Sequence, residues 1–224
     1  MKIYHGSKDI IEQPEYGKDK FHNDYGPGFY CTEDMEMAKE WSCGEDHDGF
    51  ANAYEIDLSD LHVLNLNSPE YSILHWLTVL LKNRQFRITN PIAKDAREYL
   101  FENFGVETDS YDVIIGYRAD DSYFSFAEDF LNNTISVKKL SKAMKLGHLG
   151  EQVVLVSKKA FDRIKFIEAI EVKRSRYYVL KMKRDKGARS EYLHSDRGYS
   201  YLQDELYMLD IMRQGVKADD VRLR

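Results

Sequence analysis

The chain is poor in cysteine and proline, with two Cys and four Pro in 224 residues. Cys31 and Cys43 have neither CxxC spacing nor a partner cluster, which excludes a disulfide framework and fits a reducing compartment. Long apolar runs are also missing. The longest, in YSILHWLTVLL, is broken by His75 and Thr78 and falls short of the about 20 residues that a membrane-spanning helix needs. The opening residues MKIYHGSKDI lack the apolar centre of a secretory signal. These absences predict a cytoplasmic protein with no membrane association. Internal repeats and low-complexity segments are absent, and the histidines form no HExxH-type set, so no metal site is expected.

Hydrophobic residues make up 43% of the chain, enough for a real core, and the length suits one large domain or a domain with an appendage. Tyrosines (16) outnumber phenylalanines (11), which suits clefts that use an aromatic body with a polar tip. A net charge of −6 argues against a nucleic-acid binder over the whole surface, but the charge is uneven. Residues 172–189 carry eight Lys/Arg and one acid, Asp185, for a local +7. The simplest reading of that strip is a solvated helix face. The alternative is a surface for phosphates or an acidic partner.

Residues 2–6 read as a first strand, followed by a long polar connection. Gly26-Pro27-Gly28 forces a tight turn into a short strand, Phe29–Cys31. Thr32 is the expected N-cap of a helix reaching Ser42 and burying Met35, Ala38 and Trp41. Strands are expected over 50–58, within LHVLNL, over 111–117 and over 151–157. Ser68-Pro69 and Asn90-Pro91 signal helices over 69–83 and 91–104. Two more helices follow in DDSYFSFAEDFL and ISVKKLSKAMKLG, the second capped by Ser136 and ended by Gly147. The stretch KKAFDRIKFIEA reads as helix or mixed, and the last forty residues as helical in their later part. Strands and helices intermingle without strict alternation, which predicts an α+β fold.

Three islands carry chemistry. The first is His5-Gly6-Ser7, ending the first strand. The second is the glycine-rich turn through Gly28 into Tyr30, with Trp41 eleven residues on, along a helix. The third is Glu151-Gln152, opening an apolar strand. Alone, each is an ordinary turn or strand end. Asp120-Asp121 is either a helix N-cap or an acidic pair at a cleft mouth.

The ordered set resembles the ADP-ribosyltransferase superfamily, in its diphtheria-toxin and poly-ADP-ribose-polymerase branch. The longer runs YHGS, YGPGFYCTEDMEMAKEW, IGYRADDSYFSFA and LGEQVVLVSKKAFDRIKF closely resemble an uncharacterised bacterial family assigned to that branch, some members of which act as toxins of toxin–antitoxin pairs. The resemblance covers about residues 1–170. It implies split antiparallel sheets flanked by helices over 1–170, with residues 171–224 left as a basic, then helical, extension packed on that domain. It implies mono-ADP-ribosyl transfer from NAD⁺ to a macromolecular acceptor, protein or nucleic acid, with an antitoxin as a further partner. The alternatives are a module that binds NAD⁺ without chemistry and an NAD⁺ glycohydrolase.

By the same resemblance, His5 holds the adenosine-side ribose, Ser7 touches it, and the Gly6 backbone binds the nicotinamide carboxamide. Gly28 permits close approach, and Tyr30 and Trp41 sandwich the nicotinamide ring; Asp120 would engage substrate only on the acidic-pair reading of Asp120-Asp121. The third element, normally a glutamate on the nicotinamide ribose 2′-hydroxyl, falls at Gln152 or Glu151. Side chains alternate along a strand, so only one of the two can face the cleft, and the apolar Val153–Val156 do not choose between them. Matching the strand end to end places Gln152 there, and a neutral amide disfavours polymer synthesis. Ala38 stands where polymerase-type relatives often carry a hydroxyl.

Overall fold

Seven strands form two sheets in a computed structural model that describes residues 1–18, 23–86, 88, 90–119, 121–146, 150–194 and 205–223. The first sheet joins β1 (Lys2–Ser7), β3 (Gly49–Ile56) and β7 (Ile164–Val172), all antiparallel, with β3 in the middle. The second has the order β2-β6-β5-β4, from Phe29–Cys31, Glu151–Leu155, Val113–Tyr117 and Val63–Asn65. The fold is therefore α+β. Its second sheet is not wholly antiparallel, because β4 and β5 run parallel. The sheets meet where Tyr4 and Thr32 exchange backbone hydrogen bonds of 2.8 and 2.9 Å.

Alternation along β6 divides the core. Val153 and Leu155 join Ile3, Phe29, Tyr54 and Phe161 in a cluster shared by both sheets. Val154 faces the other way, into a larger cluster built with helices α2 (Ile73–Asn83), α3 (Pro91–Phe104) and α4 (Asp121–Leu131). Trp76, Leu77, Leu100, Phe104 and Phe130 fill it. Met208 and Ile211 of a C-terminal helix (Met208–Gln214) enter the same cluster, so part of the expected extension shares this core.

Several boundaries differ from the sequence reading. Helix α1 spans Met35–Ser42, and its cap is Asp34, which accepts from the Glu36 and Met37 amides; the backbone of Thr32 is already committed to Tyr4. The buried face of α1 carries Met37 and Ala38, with Met35 and Trp41 only half-buried. Helix α2 begins at Ile73 behind Ser72, one turn later than Ser68-Pro69 suggested. Asn90 and Ser136 cap as expected, α5 spanning Val137–Ala143, whereas Gly147 lies outside the described residues. In KKAFDRIKFIEA the helix is a single turn, α6 (Lys158–Phe161), and strand β7 begins at Ile164 after a two-residue turn. The basic strip then opens helix α7 (Arg174–His194).

Candidate functional site

A cleft of about 850 Å³ is lined by residues from both sheets, α1 and α7. His5 and Gly6 come from β1, Gly28 and Tyr30 from the turn into β2, Trp41 from α1 and Gln152 from β6. The Tyr30 and His5 side chains are held from behind. The Tyr30 hydroxyl donates to the Gly26 carbonyl at 2.6 Å and accepts from the Tyr25 amide at 3.0 Å, which locks the ring against the glycine-rich turn. The Tyr25 hydroxyl in turn donates to the Tyr117 carbonyl at 2.5 Å and accepts from Trp76 Nε1 at 2.9 Å; burial pushes its pKa far up.

The His5 ring stacks on Phe29, with centroids 4.3 Å apart, and its Nδ1 lies 2.7 Å from the Tyr30 carbonyl oxygen. A carbonyl only accepts, so Nδ1 carries the proton. Burial holds the ring's pKa below the ordinary histidine value of about 6.5, partly opposed by that hydrogen bond. His5 is therefore neutral at physiological pH, and its Nε2 is a bare acceptor. The sign for stability follows. Below about pH 6.5 the unfolded chain binds a proton that the folded chain resists. The contribution of His5 is thus fully present above that pH and is lost as pH falls through the folded value. Burial depresses His75 in the same direction. Stability should fall between pH 7 and 5. His5→Asn, which keeps a donor for Tyr30, should flatten the curve by up to about 1.4 kcal/mol per pH unit in urea melts at each pH. An unchanged slope would contradict a neutral, half-buried ring.

Strand register settles which of Glu151 and Gln152 enters the cleft. Tyr30 pairs with Val154, and cross-strand partners share a face; two residues along β6, Gln152 lies on that face too. Gln152 is 5% exposed, and its Oε1 has no hydrogen-bond partner among the described residues. Glu151 points the other way, exposed, and accepts from Asn67 Nδ2 at 2.7 Å. The Trp41 indole Nε1 is also buried and unmatched among the described residues. One face of that indole is covered by the Arg118 guanidinium, 3.7 Å from the ring centroid.

Two expectations change. Gly6 lines the cleft, but the space a side chain would need is filled from behind: a Cβ would lie 2.1 Å from the Ala38 carbonyl oxygen. Ala38 is fully buried under β1, so it has no part in the cleft surface. Ser7 is not brought into the cleft. Its hydroxyl donates to the Asp9 carbonyl at 2.7 Å and accepts from Asn52 Nδ2 at 2.8 Å. Asp120 lies outside the described residues.

Sequence reasoning missed the charged wall. Arg118 follows β5, and Arg84 follows α2. The buried Asp24 carboxylate stands 3.5 Å from Arg84 Nε and accepts from the Ala119 amide at 3.0 Å. These residues come from separate segments, and no local pattern groups them. Helix α7 closes the cleft with Lys181, Met182, Asp185 and Arg189. Arg184 pins the helix in place, donating through Nε and a terminal nitrogen to both oxygens of the buried Glu40, at 2.9 and 2.7 Å. Part of the basic strip is thus one wall of the cleft, while Arg174, Arg176, Lys183 and Lys186 are exposed, as a solvated helix face requires.

A family model described as "Protein of unknown function (DUF3990)" matches residues 1–166. The chain belongs to the DUF3990 family. No curated protein and no solved structure matches it. In this DUF3990 chain the matched region includes every wall of the cleft except α7, and it ends inside β7. No group of three or more His, Cys, Asp or Glu suited to a metal ion occurs among the described residues, and no helix among them is long and apolar enough to cross a membrane.

Proposed function

We propose that this cleft binds NAD⁺ and that the protein is an ADP-ribosyltransferase of the split-sheet kind. The observation that carries the proposal is the convergence of His5, Gly6, Tyr30, Trp41 and Gln152 on one cleft, with the buried Gln152 Oε1 unmatched among the described residues. A buried acceptor left empty costs about 1–3 kcal/mol, so a ligand hydroxyl that fills it is rewarded. The ribose 2′-hydroxyl of NAD⁺ is such a donor, and the bare Nε2 of His5 offers a second acceptor. Nicotinamide in NAD⁺ is a flat cation, suited to the Tyr30 and Trp41 rings. The Arg118–Trp41 contact supports this reading, since a planar cation from the chain itself already stacks on that indole face. The pyrophosphate has Arg84, Arg118 and Lys181 within the same walls. The volume lies in the range of about 300–1,000 Å³ usual for small-molecule and cofactor sites.

The step breaks the bond between the nicotinamide nitrogen and ribose C1. Nicotinamide leaves neutral with the bonding pair, the acceptor's nucleophile bonds C1, and the acceptor's proton passes to solvent. Positive charge builds on the ribose, as in glycoside hydrolysis. The Gln152 oxygen can orient the 2′-hydroxyl and place a partial negative charge beside it. It lacks the full charge of a carboxylate, which favours a single transfer over polymer synthesis. The same lack favours one second reading: a module that holds NAD⁺ without cleaving it.

Nicotinamide release from NAD⁺, with and without cell lysate, tests the proposal. Release is expected with the wild type. Tyr30→Ala and Trp41→Ala should each weaken NAD⁺ affinity about 2- to 30-fold, the equivalent of roughly 0.5–2 kcal/mol per aromatic face. Free ADP-ribose without labelled macromolecule would make the protein a glycohydrolase. Binding without release would make it a module, and no binding at all would remove NAD⁺ from the account.

A further inference from the structure

We propose that the outer rim of the cleft, along α7, is a binding track for a nucleic-acid strand. Three observations carry it. First, charge is segregated: residues 172–189 hold +7 on a chain of net −6, so the remaining residues together sum to −13. Second, the cationic side chains do not spend themselves on the fold alone. Arg184 is committed to Glu40, and Arg189 meets Asp185 at 3.1 Å, but Lys183 and Lys186 stand exposed beside them. Third, the track runs into the cleft. Met182, Lys186 and Arg189 follow the i, i+4, i+7 spacing of one helix face, and Met182 and Arg189 line the cleft. From Lys181 to Arg189 the helix rises about 12 Å, longer than one phosphate group requires.

The cleft lining holds Lys18, Arg84, Arg118, Lys181 and Arg189 against Asp24 and Asp185, a surplus of three positive charges. The two phosphates of a dinucleotide do not exhaust the surplus once Lys183 and Lys186 are added. A nucleic-acid strand fits better than an acidic peptide because apolar side chains interleave with the cations. Val179 is 58% and Met182 47% exposed, and they offer contact to unpaired base faces while the cations take phosphates. On the transferase reading the bound strand would be the acceptor, but the binding itself does not depend on that reading.

The test is fluorescence anisotropy of a labelled single-stranded 20-mer, DNA and RNA in turn, against the full chain at several salt concentrations. Binding should weaken with salt, each phosphate contact contributing about 0.7 to the log–log slope. The double variant Lys183→Glu/Lys186→Glu, both positions outside the cleft lining, should lose at least about tenfold in affinity and one to two contacts of slope. Its melting temperature, and nicotinamide release measured without nucleic acid, should be unchanged. Absence of binding to either strand, or affinity untouched by the charge reversal, overturns the proposal. So does stronger competition from polyglutamate than from unlabelled strand, which would make the partner an acidic protein. A protein that binds the strand but releases no nicotinamide would refute the transferase reading and leave this one standing.

Discussion

Replacing Gln152 by alanine should lower nicotinamide release from NAD⁺ by about 10²-fold or more, while Glu151→Ala should leave it within about twofold. Removing one preorganised polar group at a developing charge costs on the order of 10²–10³ in rate. Gln152 is the buried candidate, on the Tyr30 face of β6, with its oxygen unmatched among the described residues. Glu151 is exposed and hydrogen-bonded to Asn67. The truncation also removes a buried unmatched oxygen, so the variant should fold at least as well as the wild type. Gln152→Glu places a carboxylate at the same position and should raise release, because full charge stabilises the cationic transition state more than the ground state. The reverse ranking, with Glu151→Ala inactive and Gln152→Ala active, would mean that the cleft described here is not where NAD⁺ reacts.

The second large effect concerns the fold. Gly6→Ala should destabilise the protein by about 3 kcal/mol or more, because the new Cβ would lie 2.1 Å from the Ala38 carbonyl oxygen and 2.8 Å from the Ser42 amide nitrogen. Both are backbone atoms of α1, so no rotamer change relieves the contact. Either α1 moves off β1 or β1 leaves its pairing with β3. For a chain of this size that corresponds to a fall in melting temperature of roughly 6–12 °C. A melting temperature within about 2 °C of the wild type would show that α1 does not pack as described. Gly6 thus sits beside the cleft for a reason the sequence did not reveal. A glycine in an HGS motif suggests room for a ligand, whereas here it makes room for a helix.

What could be read in advance was local. Asn90-Pro91 and Ser136 marked their helices correctly because their side-chain oxygens accept from the amides of Ala93 and Lys139 in the following turn. Thr32 misled because its backbone had a partner across the sheets, in Tyr4. Strand β7 was hidden by a register shift opposite Ala53 and Tyr54, which interrupts the two-residue period on which strand recognition depends. The residues of the site divide in the same way. Tyr30 and Trp41 stood out because they follow the glycine-rich turn, and His5 because it adjoins Gly6 in a short first strand. Arg84, Arg118 and Asp24 did not, since only the folded chain brings them together. The choice between Glu151 and Gln152 needed the β2–β6 register, which no single strand contains.

The contact between Arg118 and Trp41 makes the cleft a site of intramolecular competition. A flat cation arriving at that indole face meets a guanidinium already tethered there, at the high effective concentration of a group on the same chain. Observed affinity for such a ligand is then a difference between two stacking energies, and weak or adventitious cations are turned away at no cost in specificity. A ligand that carries its own phosphates would offer the displaced guanidinium an anionic partner. If the cleft binds NAD⁺ as proposed, this contact would favour molecules that present a planar cation and an anionic group together.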